Sequence, residues 1–477
     1  MPAYETASLA HDFKYGNRSS NLPRARGFHD TLFQKAVSLF GMATKPALCY
    51  CQDLKHVILI ASASRSGSSW LANLLQESTQ MLSLPGEFDP LLFLAQKTEP
   101  SGQAFSSDRL NRDCLDSYDR EQLSLLLSWM SGRREPVNNL WRPGFRTVLD
   151  TAMRTVIQWP EYEFDVDHLL ILARASLQNG RGKGPVEAML CFLKELAREH
   201  GEWLSPYYYD LPYPMIRKAF PHESLPLGPP SSCGVIEEPP FIPCLPWRHS
   251  TARERGEQAL IIKSPSNSYR LDFLQTLFPN ARLSLIHVIR NPVSSISGLM
   301  CGWRHHGFFK HILEPESLDI TGYSSPLLPW SKQWWKFDLP PGWKAYTHAP
   351  LEEVCKFQWL SANNSILEWA RTQAADISYI QIRYESLVRS CKDELRRLCK
   401  FLNTDMDHGL LHSLEQDCLV MASAGISQDI RGYMRTVAES FGSCPALGEM
   451  EKNFRDAEMG LSHFHGSFWG KDAPLET

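Results

Sequence analysis

The stretch that decides the fold runs from Val57 to Trp70 and reads VILIASASRSGSSW. Its first five residues form a continuous apolar run rich in β-branched side chains, which predicts a strand buried on both faces of a parallel sheet. Small and hydroxylic residues follow from Ser62 to Ser69, and apolar residues then recur at helical spacing through Leu75. The order strand, tight loop, helix predicts an anion-binding loop.

The loop, residues 64–70, reads SRSGSSW. Backbone N–H groups at such a turn converge on an anion, and the helix dipole adds partial positive charge. Arg65 supplies a permanent positive charge, and Ser68 and Ser69 supply hydroxyl donors. No lysine follows Gly67 and no glycine leads the loop, so this is a phosphate cradle without a Walker signature, and an ATP- and magnesium-using P-loop kinase is disfavoured.

Three further apolar runs, at 259–263, 283–289 and 379–382, predict strands of the same sheet. Strands that alternate with helical patterns predict an α/β fold of three layers with a mostly parallel central sheet. Lys263 and Arg290 stand at the carboxyl ends of the first two of these runs. Open α/β sheets bind ligands at that edge, so we expect the ligand there.

The chain predicts one domain at residues 55–470 after an N-terminal extension at 1–54, with an insertion at 100–255 inside the domain. The insertion begins with helical patterns, whereas residues 212–246 hold ten of the 32 prolines and predict an extended connector without regular helix. We interpret the insertion as a cap. A second stretch rich in aromatic residues, 330–346, suits the wall of an acceptor pocket and equally suits packing of a loop onto the domain.

The composition narrows the class of protein. A formal net charge of -4 gives no global basic field, which argues against a protein that coats nucleic acid. We expect no membrane span and no signal peptide, because no run approaches the roughly 18 apolar residues that a span requires. The twelve cysteines form no CxxC pair, so we expect no metal site and reduced thiols in the cytoplasm. The oligomeric state stays open.

The motifs resemble those of sulfotransferases that use 3′-phosphoadenosine-5′-phosphosulfate (PAPS), over residues 57–90 and 258–404. Family members bind the 5′-phosphosulfate with a basic residue followed by S-G-T/S-T/S, and Arg65 stands where many of them have lysine. Arg290-Asn291-Pro292 is similar to the family's 3′-phosphate-binding turn, and residues 382–387, IRYESL, are similar to its R-Y-E-x-L segment. The resemblance is to the carbohydrate and bacterial branch more than to the cytosolic phenol and steroid type.

The resemblance implies the P-loop sulfotransferase fold, PAPS as co-substrate, adenosine 3′,5′-bisphosphate (PAP) as product, and no metal. The family usually has a serine eight residues after the arginine of the 3′-phosphate turn, where this chain has Gly298. Ser297 is therefore our candidate, with Ser294 and Ser295 as alternatives one turn closer. The implied nucleotide-binding residues are Arg65, Ser66, Gly67, Ser68, Ser69, Trp70, Arg290, Ser297 and Tyr384.

The implied catalytic residues are Glu87, Lys263 and Arg65. Lys263 is similar to the family's strand-end lysine, which neutralises charge on the oxygen that bridges sulfur and the leaving phosphate. Phenol-type members place a histidine base two residues later, but Pro265 stands there in this chain. Glu87 is the expected base, since the carbohydrate and bacterial members use a glutamate in a similar position. Asp89 is its nearest competitor, and the pair His305 and His306 is the reserve.

The expected function is transfer of a sulfuryl group from PAPS to a hydroxyl, or as second choice an amine, of a small-molecule, glycan or lipid acceptor. The altered base and Gly298 keep a second class open, a catalytically silent module that binds PAPS or a related nucleotide. The P-loop kinase is the third and weakest alternative.

Overall fold

The computed structural model describes residues 50–411, apart from gaps at 96, 99–106, 135–142, 160–163, 180–183, 201–204, 227, 231–234, 236, 239–241, 244–246, 316 and 373–376. Most of the predicted extension, 1–54, and the end of the predicted domain, 55–470, lie outside the described residues. The division of the chain at these two boundaries stays a prediction.

The described residues form nine strands and fourteen α-helices. The strands are β1 His56–Ala61, β2 Met81–Leu82, β3 Gly132–Arg134, β4 Trp247–His249, β5 Ala259–Lys263, β6 Arg282–Ile289, β7 Phe309–Ile312, β8 Trp334–Lys336 and β9 Ser378–Arg383. The helices are α1 Tyr50–Asp53, α2 Ser68–Gln76, α3 Asp89–Leu94, α4 Ser117–Met130, α5 Phe145–Gln158, α6 Val166–Asn179, α7 Pro185–His200, α8 Tyr213–Ala219, α9 Ala252–Glu257, α10 Leu271–Leu277, α11 Pro292–Arg304, α12 Leu351–Thr372, α13 Tyr384–Arg389 and α14 Cys391–Leu402. Among these described helices, none is long and apolar enough to cross a membrane.

Five strands form the central sheet, in the order β2-β5-β1-β6-β9, and all its pairs are parallel. The predicted α/β fold with a parallel sheet is thereby confirmed, as are the four strands expected from apolar runs. Ile60 pairs with Lys263, and Ile289 pairs with Arg383. The carboxyl ends of β5, β1, β6 and β9 therefore meet at one edge, which brings the predicted site residues into one region.

Alternation of side chains along β1 explains why its sequence is apolar throughout. Ile58 and Ile60 pack with buried residues of α2 and α14 on one face of the sheet. Val57 and Leu59 pack on the other face, in a cluster that includes residues of α10 and of the insertion. Because strands buried on both faces have no polar side, a continuous apolar run is the expected pattern. The sheet is the middle of three layers.

The insertion packs on the domain mainly through helices. Strands β3 and β4, both within it, pair antiparallel with Gly132 opposite His249. The prediction that residues 212–246 hold no regular helix is wrong for α8. Pro214 stands in the first turn of that helix, where a backbone N–H has no intrahelical partner and proline is tolerated.

Packing accounts for the tryptophans of the aromatic stretch at 330–346. Trp334 and Trp335 are fully buried. Trp335 meets Trp303 of α11 edge to face, with 5.1 Å between ring centroids. The core role, rather than the acceptor wall, therefore describes these tryptophans, and Phe337 is the residue of this stretch that reaches a cavity.

Candidate active site

Side-chain hydrogen bonds fix the conformation of the loop between β1 and α2. Ser62 donates to the Oγ of Ser68 at 2.9 Å, and Ser64 donates to Oδ1 of Asp338 at 2.6 Å. Arg65 and Gly67 both have left-handed backbone, with φ of 65° and 93°. The first N–H groups of a helix lack intrahelical partners, so this geometry leaves those of α2 available to an anion.

Arg290 follows β6 and lies against the same loop. Its Nη1 donates to the carbonyl oxygen of Arg65 at 3.1 Å. The next residue, Asn291, accepts from the N–H of Val293 at 2.9 Å and so caps α11, while its own N–H donates to Glu385 at 2.9 Å. The Nε of Arg290 is buried and has no hydrogen-bond partner among the described residues. A buried guanidinium donor without a partner marks a place for an anionic ligand.

The ring of Tyr384 contacts both the loop at 64–70 and Arg290. The guanidinium carbon of Arg290 lies 4.6 Å from the centre of the Tyr384 ring, and Trp70 meets that ring edge to face at 6.3 Å. The ring also covers Gly67, where an added Cβ would overlap its carbon atoms. Glycine is required there for space as well as for its positive φ.

Replacement of Gly67 by alanine should disturb this site selectively. We expect Gly67→Ala to displace the Tyr384 ring, to strain the loop by about 1 to 2 kcal/mol, and to weaken PAP binding measured by calorimetry. Gly256→Ala is the matched control, since a Cβ at Gly256 in α9 would meet nothing within 4 Å and its φ is not positive. Equal PAP affinity in Gly67→Ala and wild type would show that the turn does not bind the nucleotide.

Glu87 and Lys263 lie together at the carboxyl end of β5. The Lys263 ammonium donates to Oε1 of Glu87, and Ser264 donates to Oε2 at 3.4 Å. The Phe88 N–H donates to the Lys263 carbonyl at 3.2 Å, and the Phe88 side chain is fully buried. These contacts fix the loop that carries Glu87, whose side chain keeps 28% of its surface exposed. The structure therefore places a carboxylate and an ammonium side by side at the sheet edge.

A buried charge cluster lies behind this pair. Arg270 binds Asp89 at 2.7 Å and Asp108 at 3.1 Å, and Lys310 lies 3.2 Å from Asp89. Burial alone would raise the pKa of Asp89, but Arg270 and Lys310 more than offset it and hold that pKa below its usual value. A carboxylate with a lowered pKa is a poor proton acceptor, which argues against Asp89 as the base. Its stabilising effect is present above the pKa of an unfolded aspartate, about 3.9, and is lost as the pH falls through the folded-state pKa.

Removal of Arg270 should destabilise the fold. Its guanidinium is 1% exposed, so Arg270→Met would leave the carboxylates of Asp89 and Asp108 buried with one cation fewer. We expect a loss of about 3 kcal/mol in the free energy of unfolding, measured by urea denaturation. Arg112→Ala breaks the exposed pair with Asp272 and should cost less than about 1 kcal/mol. Equal losses would mean that the cluster is not buried in solution.

A cavity of about 530 Å³ opens at this edge of the sheet and joins the two groups. Predicted site residues along its wall are Arg65, Gly67, Ser68, Ser69, Trp70, Glu87, Lys263, Arg290 and Tyr384. The cavity also receives residues of the insertion, among them Arg134, Asp210 and Glu238. One cavity is thus lined by the loop after β1, by Arg290 and by the pair of Glu87 and Lys263.

Two predicted nucleotide residues are not part of the cavity wall. Ser66 is buried, and its Oγ lies 3.2 Å from that of Ser295. Ser297 is fully buried and donates to the carbonyl oxygen of Val293 at 2.6 Å, which occupies its hydroxyl within α11. Ser297 is therefore not among the residues of the cavity wall, and its contact with a 3′-phosphate stays a prediction. Of the alternatives, Ser295 is the one that contacts the loop, through the Ser64 carbonyl at 3.4 Å.

The reserve histidines also stand apart from the cavity wall. His306 shares a hydrogen bond of 3.0 Å with the Tyr213 hydroxyl. The ring of His305 stacks on that of His306 with 3.9 Å between centroids. Burial, followed by the neighbouring charges, lowers the pKa of His305 to about 4, so it is a weak base. Glu87 stays the better candidate.

Sequence reasoning missed three features of the cavity. Phe308 and Phe337 both have left-handed backbone, with φ of 64° and 62°, and their rings stack at 4.8 Å. Non-glycine residues in this conformation are strained and cluster at functional sites. Lys310 binds Asp89, and Glu238 reaches the cavity from the insertion. Neither residue stands in a motif or at a periodic position, so the sequence holds no signal for them.

The fold and site define an α/β protein with a strand–loop–helix turn and a carboxylate–lysine pair along one cavity. The profile of the sulfotransferase family matches residues 58–337, more than half of the chain, and the chain therefore belongs to the sulfotransferase family. The resemblance expected from the motifs is confirmed. No curated protein matches the chain.

Several solved structures are similar to the chain at low identity. A sulfotransferase from Mycobacterium avium is 12% identical over 89% of this chain and 88% of that chain, with a TM-score of 0.31. A sulfotransferase from Mycobacterium tuberculosis H37Rv is 13% identical over 88% and 82%, with a TM-score of 0.32. The sulfotransferase domain from the curacin biosynthetic pathway is 14% identical over 81% and 98%, with a TM-score of 0.31. Family membership rests on the match to residues 58–337.

Proposed function

We propose that this sulfotransferase uses PAPS as donor and transfers its sulfuryl group to a hydroxyl of a small-molecule, glycan or lipid acceptor. The observation that carries the proposal is one cavity whose wall includes residues of the loop at 64–70, Arg290, and the pair of Glu87 and Lys263. Transfer requires all of them, since the loop and Arg290 would bind the nucleotide, Glu87 would act on the acceptor and Lys263 would neutralise the leaving phosphate.

The residues present fit the donor's phosphates. The N–H groups at the start of α2 and the side chain of Arg65 would hold the 5′-phosphosulfate. The unpartnered Nε of Arg290 would donate to the 3′-phosphate, and a guanidinium presents donors in a fork that suits such an oxyanion. Tyr384 would flank the adenine side, where its ring already packs against Gly67 and Arg290.

PAPS would supply the sulfuryl group, and the protein would manage the proton and the charge. Glu87 would accept the proton of the acceptor hydroxyl as its oxygen bonds to sulfur. Lys263 and Arg65 would stabilise the negative charge that develops on the leaving phosphate, because fixed charges in a site shielded from water need little reorganisation. Lys263 already contacts Glu87, so both groups act at one point of the cavity.

We also propose a cellular location for the protein and exclude nucleic acid as its acceptor. Free thiols occur at Cys51, Cys114, Cys191, Cys355 and Cys399, which fits the reduced cytoplasm that we propose as the location. The sequence's modest net charge of -4 fits an acceptor other than nucleic acid.

The direct test is transfer from radiolabelled PAPS to a mixed metabolite and glycan extract, with and without magnesium. We expect label in an acceptor fraction and equal rates after chelation of magnesium. Magnesium-dependent turnover of ATP would instead identify the kinase. Saturable PAP binding without label in any fraction would favour the silent module or an acceptor missing from the extract.

A further inference from the structure

Glu238 brings a carboxyl group from the insertion into the cavity of the proposed active site. It is half-buried and belongs to the cavity wall. Neither the family match, which spans it without assigning a role, nor the proposed transfer step uses this group. The role of Glu238 is therefore unassigned.

A buried clamp fixes the backbone next to Glu238. Arg154 of α5 binds Oε1 of Glu237 at 2.6 Å, and both side chains are less than 10% exposed. The side-chain amide of Gln158 donates to the Glu237 carbonyl at 3.4 Å and accepts from its N–H at 3.3 Å. A residue tied by its side chain, its N–H and its carbonyl has little freedom, so Glu238 is held in place beside it.

The lysine side chains around Glu238 already bind other groups. Lys263 binds Glu87, Lys310 binds Asp89, and both lie close enough to act on Glu238 electrostatically. Lys336, a third neighbour, donates to the carbonyls of His305 and Gly307. Within the described residues, Glu238 has neither a hydrogen bond nor an ion pair. Its backbone is anchored by the neighbouring Glu237, while its carboxyl group still has its hydrogen-bonding capacity to offer.

The protonation state of Glu238 follows from the same surroundings. Burial, and next the carboxylate of Glu87, raises the pKa of Glu238 to about 8. The group is consequently protonated for the most part at neutral pH. A neutral carboxyl group donates one hydrogen bond and accepts others, which suits a hydroxyl partner that also does both.

The charges also select among acceptor classes. An ammonium group beside Glu238 would approach the cations of Lys263 and Lys310. A carboxylate there would approach the anions of Glu87 and Asp89. An uncharged hydroxyl meets neither penalty, since like charges repel strongly where water is excluded. Three apolar side chains of the cavity wall, Phe93, Phe308 and Phe337, can receive the carbon skeleton.

We propose that Glu238 is the acceptor-recognition residue of this site, and that it binds a second, uncharged hydroxyl adjacent to the hydroxyl that is sulfated. The acceptor class is then a neutral diol or polyol with an apolar portion. This inference rests on the proposed function, because it takes Glu87 and Lys263 as the reacting end of the cavity.

Three small probes test the inference: styrene glycol, phenylglycinol and mandelate. All share a phenyl ring and one hydroxyl, and the neighbouring group is a hydroxyl, an ammonium or a carboxylate. Each would be titrated by ligand-observed NMR into protein saturated with PAP. We expect styrene glycol to bind about tenfold more tightly than the other two, which corresponds to one hydrogen bond.

Variants connect that preference to Glu238. Glu238→Ala should weaken styrene glycol binding about tenfold, whereas Glu238→Gln keeps a neutral donor and acceptor and should retain the affinity. Glu257→Ala is the control, because Glu257 lies in α9 and pairs with Arg253 at the surface. Rescue by glutamine distinguishes recognition from a purely structural role.

The probe titrations and the PAP titration contradict different claims. Tighter binding of phenylglycinol or mandelate, absence of binding by all three probes, or unchanged affinity in Glu238→Ala would overturn the inference while PAP binding stands. Absence of PAP binding to the wild-type protein would overturn the proposed function, and the inference with it.

Discussion

Glu87→Gln is expected to lower kcat for sulfuryl transfer by about 10² to 10⁴-fold, the range that a positioned general base contributes. The glutamine keeps the shape of the side chain and a hydrogen bond to Ser264 but cannot take the proton of the acceptor. PAP affinity measured by calorimetry should stay within about twofold of wild type, because Glu87 pairs with Lys263 at the end of β5, and β1 separates that strand from β6 and Arg290.

The matched control for the base is the pair of variants His305→Asn and His306→Asn. Both histidines lie outside the cavity wall, and His306 bonds to Tyr213. We expect these two variants to keep kcat within a few-fold of wild type. Normal turnover in Glu87→Gln would reject Glu87 as the base.

Arg290→Ala is expected to weaken PAP binding by at least about 100-fold, since hydrogen bonds to charged groups contribute about 1.5 to 3 kcal/mol each. Adenosine 5′-phosphosulfate lacks the 3′-phosphate and should lose much less. Parallel titrations of both nucleotides measure the difference. The prediction depends on the buried, unpartnered Nε and on the position of Arg290 beside the loop.

Arg282→Ala provides the control for this arginine. Arg282 begins the same strand, β6, but is exposed and donates to the Phe401 carbonyl at 3.2 Å. The Arg282→Ala variant should keep the wild-type affinity for both nucleotides. Equal losses for PAP and adenosine phosphosulfate in Arg290→Ala would remove the 3′-phosphate assignment from that residue.

Local sequence patterns were enough to predict the sheet and to place the loop at 64–70, Lys263 and Arg290 at one of its edges. The strand at Val57 is apolar because both of its faces are buried, and the loop after it carries its own chemistry in consecutive residues. Arg290 and Lys263 end strands, so parallel pairing alone brings them to one edge. These features need no knowledge of distant contacts.

Features that depend on distant contacts were beyond the sequence. Glu238 enters the cavity because Arg154 and Gln158, about eighty positions earlier in the chain, hold its neighbour. Ser297 has the right residue type near the right position, but the turn of α11 directs its hydroxyl to the Val293 carbonyl. Proline content argued against α8, although a proline in the first turn of a helix is compatible with it.

The measurement that tests the central claim most directly is a calorimetric titration of the full chain with PAP, compared with ATP and magnesium. We predict saturable PAP binding with one site per chain, undiminished by removal of magnesium, and no turnover of ATP. A chain that fails to bind PAP would contradict the assignment of the loop at 64–70 and of Arg290, and with it the proposed use of PAPS.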